Sequence, residues 1–323
     1  MSDVSNRKLI ILTGANSGLG FEVLKQLLSQ QVPYHIILAV RNIQQTETKI
    51  QSIVPSHQSV EIVKLDLSSL TSVKSFTQNI LSRKPPLHIN ILILNAGVVK
   101  ATLTKTEDGF EHTFQVNHLS NIVLVHELLP RLIESGPGSR IILVNSSLHK
   151  PGVGAKEHGE NRPIMDIENL DGSKMYSPLL FYRNSKLAQV FFGYQLDKLL
   201  NKKGEEERKV NVLIVEPGFC PTTELSRESG IFTQLFLRYI LSWAPFTRTS
   251  EQGGAVITYA STSSELQNKS GIYISQFCRI DKSSDESYEE DKQRFWWKAS
   301  CDLLGIEEDW SSLIFNQNDE ILD

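Results

Sequence analysis

"KLIILTGANSGLGFEVLKQLLSQ", residues 8–30, decides the fold. A β-branched apolar run (8–13) enters a loop with glycines at 14, 18 and 20, then continues as a helical pattern. A glycine-rich motif alone is a weak signal. Here it has a strand before it and a helix after it, the context of a phosphate-binding βα turn. Gly14 permits the tight turn, Gly18 lets the backbone approach a pyrophosphate, and Gly20 allows helix and strand to pack closely. The helix N-terminus then offers N–H groups to the phosphates.

Working outward, six more short apolar runs follow: "HIILAV" (35–40), "VEIVKL" (60–65), "INILIL" (89–94), "RIILVN" (140–145), "VNVLIV" (210–215) and "GIYIS" (271–275). Their apolar character is nearly continuous rather than alternating, as expected of strands covered on both faces. Helical patterns lie between them near 18–30, 43–54, 69–82, 107–134, 177–201 and 249–263, with an amphipathic one near 285–304. The β-α alternation predicts an α/β, doubly wound Rossmann fold: about seven parallel strands with helices on both faces. No repeat or Pro/Gly/Ser-rich linker divides the chain, so residues 1–323 read as one domain. Two insertions, about 150–176 and 221–247, interrupt it, and an acidic loop, helix and tail occupy 281–323. The charged runs 201–209 and 281–292 read as solvated turns.

The bulk numbers agree with a globular α/β chain: 40% hydrophobic residues, 22% charged, net charge −4. No Lys/Arg block suggests nucleic acid. Cys220, Cys278 and Cys301 form no CxxC motif or His/Cys cluster, so a reducing compartment and no metal are expected. The N-terminus shows no signal peptide, and no uncharged apolar run reaches about 18 residues. A cytoplasmic location is expected. The apolar stretch "GIFTQLFLRYILSWAPF" (230–246) is a candidate for peripheral contact with an intracellular membrane or lipid droplet, or for a cap over an apolar substrate.

The second strand ends "LAVRN", with Arg41 where a cofactor bearing a free ribose 2′-hydroxyl usually meets a carboxylate. An arginine there suits a 2′-phosphate, so NADP(H) is expected over NAD(H). Ligands of such sheets sit at the carboxyl ends of strands. Asn95-Ala96-Gly97, Ser146-Ser147 and Pro217-Gly218 all lie at such ends, and Asn117 lies inside a long helical pattern. "LLFYRNSKLAQVFF" (179–192) puts Tyr182 and Lys186 on one helical face.

Together, TGxxxGxG (13–20), Asp66 in "LDLSS", NAG (95–97), Asn117, Ser147, YxxxK (182–186) and PG (217–218) resemble the short-chain dehydrogenase/reductase family. The similarity is to its retinol-dehydrogenase-like and WW-domain-oxidoreductase-like branch, without WW modules. The resemblance implies NADP(H)-dependent interconversion of a carbonyl and an alcohol on an apolar small molecule. Tyr182 would be the acid/base, and Ser147, with Ser146 as the fallback, would bond the substrate oxygen. Lys186 would bind the nicotinamide ribose and lower the tyrosine pKa, and Asn117 would hold a relay water. Gly14, Asn16, Ser17, Gly18, Leu19, Gly20, Arg41, Asp66, Asn95, Gly97, Tyr182, Lys186, Pro217, Gly218 and Thr223 would contact the cofactor, with Thr222 the alternative to Thr223. A homodimer is consistent with the resemblance. A phenol of pKa about 10 needs a drop of roughly 3 units, about 4 kcal/mol, to act near neutral pH. An ammonium about 4–5 Å away supplies that order of magnitude. Two other readings stay open: a catalytically idle NADPH-binding sensor, and a C=C reductase of the same family.

Overall fold

The computed structural model describes residues 7–156, 158–201, 210–221 and 247–315. Thr222, Thr223, the apolar stretch 230–246, nearly all of the 221–247 insertion and the run 202–209 lie outside the described residues, as does the tail from 316.

All seven predicted strands form: β1 (Lys8–Thr13), β2 (Tyr34–Val40), β3 (Ser59–Lys64), β4 (Ile89–Leu94), β5 (Arg140–Val144), β6 (Asn211–Val215) and β7 (Ile272–Ile274). An eighth, β8 (Ile280–Asp281), extends the sheet in the order β3-β2-β1-β4-β5-β6-β7-β8. It pairs antiparallel with β7, so the sheet is mostly rather than wholly parallel. The turn before it uses Cys278 at φ 55, a left-handed residue that is neither Gly nor Asn. Nothing in "SQFCR" announces that turn.

Side chains along each strand alternate between two cores. Leu9 and Ile11 face one, and Ile10 and Leu12 the other. Helices α1 (Gly18–Leu28), α2 (Ile43–Ile50) and α7 (Ser250–Thr262) cover the second core. Helices α3 (Leu70–Leu81), α5 (Ser120–Ile133), α6 (Pro178–Leu200), α8 (Glu290–Leu304) and α9 (Ser311–Phe315) cover the first. Burial on both faces explains the unbroken apolar runs.

The helix expected from 107 begins later, because Gly109 at φ 87 turns the chain and Lys105 bridges Glu111. It then runs as α4 (His112–Phe114), a π-helical turn (Gln115–Leu119) and α5. Such π turns widen the helix and occur often at functional sites. This one carries Asn117.

Candidate active site

The strand order reverses between β1 and β4, and the loops at their carboxyl ends interlock there. Gly14 and Gly18 adopt φ values of +69° and +53°, which favour glycine. A Cβ on Gly20 would lie 2.2 Å from the Gly14 carbonyl oxygen, so helix and turn touch through backbone. The Asn95 amide donates to the Thr13 carbonyl at 2.9 Å, while the backbone N–H groups of Asn95 and Ala96 reach the Thr13 hydroxyl at 3.0 Å. Asn95 therefore braces the glycine loop rather than facing a ligand with its whole side chain. Lys49 on α2 donates to the Asn16 carbonyl at 2.7 Å, bringing a cation to the loop that sequence reading passed over. Leu19 packs toward Pro217 and Cys220 around Gly253.

Ser17 precedes α1 without a side-chain cap, whereas Asn42, Ser69, Ser177 and Thr249 cap α2, α3, α6 and α7. First-turn N–H groups of α1 are thus left for an anion. Arg41 is exposed beyond β2, and Asn42 accepts from Gln45 N–H to start α2. After β3, the Asp66 carboxylate accepts from the Ser68 N–H and hydroxyl at 3.0 and 2.7 Å. Gly218, at φ +89°, ends the Pro217–Gly218 turn after β6, where a Cβ would strike Gln276 at 2.6 Å. Burial pushes the nearby Cys220 thiol up to about 11, which argues against a reactive thiolate.

Tyr182 and Lys186 stack one turn apart on α6, 7% and 3% exposed. The Tyr182 hydroxyl hydrogen-bonds Ser146. Ser147 instead opens a 3₁₀ turn (Ser147–His149), and its carbonyl accepts from Lys150 N–H. The structure thus brings Ser146, the fallback of the pair, to the tyrosine. Strand β5 ends at Val144; the Asn145 N–H still donates to the Val215 carbonyl of β6 at 2.7 Å, and its side-chain oxygen accepts from Ser146 N–H at 2.8 Å.

Lys186 Nζ donates to the Val144 carbonyl at 2.7 Å and to Gln189 Oε1 at 3.4 Å, and lies 5.7 Å from the Tyr182 ring centre. An ammonium has three N–H donors, so one remains for a ligand. Burial brings the Lys186 pKa down to about 7. The same burial pushes Tyr182 up to about 12, against the opposing Ser146 hydrogen bond. In the protein alone, burial rather than the lysine sets the direction in which Tyr182 is shifted.

Asn117 is fully buried and holds the 95–98 loop in a two-way grip. It accepts from Val98 N–H at 2.8 Å, and donates to the Val98 carbonyl at 3.0 Å and to Ser185 Oγ at 3.1 Å. Its backbone carbonyl accepts from the Asn121 and Gln189 amides at 2.8 and 3.4 Å. A Cβ on Gly97 would lie 3.3 Å from Asn117 Oδ1 and 3.9 Å from Lys186 Nζ, so this glycine leaves the cleft open. Gln189 and Asn145 complete the cluster, joined at 3.0 Å. Gln189 left a usable signal: an amide inside the apolar run "LAQVFF" needs a partner.

Arg183 and Asn184, the residues between Tyr182 and Ser185, face the 150–176 insertion. Arg183 Nη2 donates to the Val153 and Ala155 carbonyls, each at 2.7 Å. Asn184 pairs with the Ile164 N–H and carbonyl at 2.9 and 2.8 Å. The tyrosine helix therefore anchors the insertion directly.

Residues 8–156 match the short chain dehydrogenase family. The chain is 34% identical to retinol dehydrogenase 11 of Mus musculus over 94% of this chain and 88% of that protein. It is also 34% identical to the WW domain-containing oxidoreductase of Gallus gallus over 90% of this chain, spanning 66% of that protein's length. NADPH-bound carbonyl reductase from chicken fatty liver shares the fold, with a TM-score of 0.59 and 18% identity over 85% of this chain and 98% of that one.

Proposed function

The chain belongs to the short-chain dehydrogenase/reductase family of oxidoreductases, and on that premise we propose that it interconverts a carbonyl and an alcohol on an apolar small molecule with NADP(H). The convergence of the buried Tyr182, Lys186 and Asn117 with the half-buried Ser146 carries this reading. When bound, the nicotinamide cofactor supplies or accepts the hydride. The uncapped N-terminus of α1 and the loop of Gly14, Asn16, Ser17, Gly18, Leu19 and Gly20 would hold its pyrophosphate. Asp66 would lie at the adenine, Gly97 along the cleft, and Lys186 at the ribose through its remaining N–H. Pro217 and Gly218 would border the carboxamide.

In the reductive direction, Ser146 and Tyr182 donate to the substrate oxygen, and the phenolic proton passes to that oxygen as it gains charge. A tyrosine held up near 12 is neutral at pH 7, so the proton is in place. Lys186 balances the phenolate that remains. Asn117 acts by fixing the 95–98 loop and Ser185, both sides of the cleft, with its hydrogen-bonding groups already given to protein partners.

Preference for NADP(H) rests on Arg41, with the Lys49 ammonium adding positive charge at the same end. The apolar-substrate reading draws on the retinol dehydrogenase relative and on the anchored insertion at 150–176.

The test is turnover of NADPH and NADH with a panel of aldehydes, ketones and retinoids. Tyr182→Phe and Ser146→Ala should each cut kcat by about 100-fold or more while retaining NADPH binding, whereas Ser147→Ala stays within about threefold. A lower KM for NADH overturns the cofactor preference. NADPH binding without turnover by the wild type favours the sensor reading.

A further inference from the structure

We propose that His149 is a positioning residue for Ser146, held in a single tautomer by the segment after β8, so that residues 283–288 form the back wall of the active site. The inference rests on the oxidoreductase reading above. His149 is fully buried at the end of the 3₁₀ turn that follows Ser146. Its Nδ1 lies 2.6 Å from the Ser146 carbonyl oxygen. A carbonyl only accepts, so Nδ1 carries the hydrogen. The Ser284 backbone N–H donates to Nε2 at 3.2 Å, so Nε2 is bare. Both partners select the same neutral tautomer, and neither can exchange its role. The His149 backbone N–H reaches the same Ser146 oxygen only at 3.3 Å, so the side chain makes the tighter bond.

The ring has little freedom to leave. It lies 5.5 Å from the Tyr273 ring, whose hydroxyl donates to Glu216 at 2.6 Å. Lys150 Nζ sits 3.6 Å from the same carboxylate and 4.6 Å over the Tyr273 ring. On the far side, Ser283 bonds the Tyr194 hydroxyl at 2.7 Å and Ser287 at 2.6 Å, and Ser287 donates to the Ser284 carbonyl at 2.6 Å. Ser283, Ser284 and Ser287 are buried although the run around them is acidic. Asn145 holds the Ser146 N–H and His149 holds its carbonyl, so both peptide groups of Ser146 are pinned. Its side-chain oxygen accepts from Leu148 N–H at 3.3 Å, which holds the hydroxyl where it meets Tyr182. Burial brings the His149 pKa down to about 4, so the neutral ring persists through the neutral range. Small misplacements of a reacting partner cost up to about 100-fold in rate, which is why an anchor one residue removed matters.

Two variants separate the halves of this clamp. His149→Asn keeps an amide donor near the Nδ1 position, and His149→Gln moves the amide to the Nε2 position. Each is compared with wild type in steady-state turnover, in Tm, and by NMR of tyrosine labelled with ¹³C at Cζ without cofactor, the Tyr182 line being assigned with Tyr182→Phe. The expected result is kcat about 10-fold lower for His149→Gln, with KM for NADPH within about twofold and the Tyr182 line shifted. His149→Asn should keep kcat within about threefold and leave that line in place, although Tm falls in both. The proposal is overturned if both variants lose kcat together in step with Tm, or if His149→Gln leaves kcat and the Tyr182 line as in wild type. A wild type that turns over no carbonyl counts against the oxidoreductase reading, and the NMR comparison then decides this proposal on its own.

Discussion

Lys186 and Tyr182 are buried side by side, and burial moves them in opposite directions: the amine down to about 7, the phenol up to about 12. For the lysine the sign of the linkage is clear. The unfolded chain keeps this proton up to the ordinary lysine value near 10.5, while the folded chain releases it above about 7. Between those values unfolding takes up a proton, so stability rises with pH across that window, and the cost of burying the charge is complete below pH 7. Lys186→Met should therefore stabilise the protein by roughly 2 kcal/mol or more at pH 6.5, with the gain shrinking toward pH 9.5, while turnover is lost. Urea unfolding of both proteins at the two pH values checks this, and a gain that does not vary with pH contradicts it. A residue that weakens the fold yet completes the cleft is the pattern expected of a functional site.

At the scale of elements, the βα turn was legible because its constraint is steric. Only glycine fits where Gly20 faces the Gly14 carbonyl. Gly20→Ala should push α1 away from β1, cost about 1–3 kcal/mol and weaken NADPH binding at least about 10-fold. Fluorescence titration with NADPH, beside urea unfolding, reads both quantities, and wild-type affinity would contradict the close-packing argument. The YxxxK helix was equally legible, since its spacing fixes a shared face. The register at Ser146-Ser147 was not, because adjacent serines at a strand end look alike until the start of the 3₁₀ turn at Ser147 is known. Nor was the π turn: no residue type marks it, and "TFQVNHLSN" reads as ordinary helix. Its effect appears only in the structure, where the carbonyl of Asn117 accepts from side-chain amides and the side chain grips Val98.

At the scale of the whole molecule, the seven strands declared themselves through doubly buried apolar runs and α8 through its amphipathic pattern, whereas β8 and the buried serines before α8 were hidden. Strand β8 has two residues behind a Cys278 turn. The acidic run buries serines while Asp281, Asp285 and Glu289 face solvent, so composition pointed to a solvated loop and burial went the other way. Beyond it, α8 and the residues leading into α9 close the sheet's first core with stacked aromatics. Trp310 is 1% exposed, its ring centre 4.5 Å from that of Trp297 and 6.3 Å from that of Phe192 on α6. Its indole N–H donates to the Glu307 carbonyl at 3.0 Å. Removing that ring leaves a cavity, so Trp310→Ala should cost about 3–5 kcal/mol and lower Tm by roughly 5–10 °C. Phe192 lies ten positions beyond Tyr182, about 15 Å along the helix at its ordinary rise. The loss should therefore fall on stability, with the Kd for NADPH of the folded protein within about twofold of wild type. Differential scanning calorimetry and NADPH titration below the transition separate the two. Weakened NADPH binding at an unchanged Tm would mean that the aromatic layer acts on the cofactor cleft through α6 rather than only closing the core.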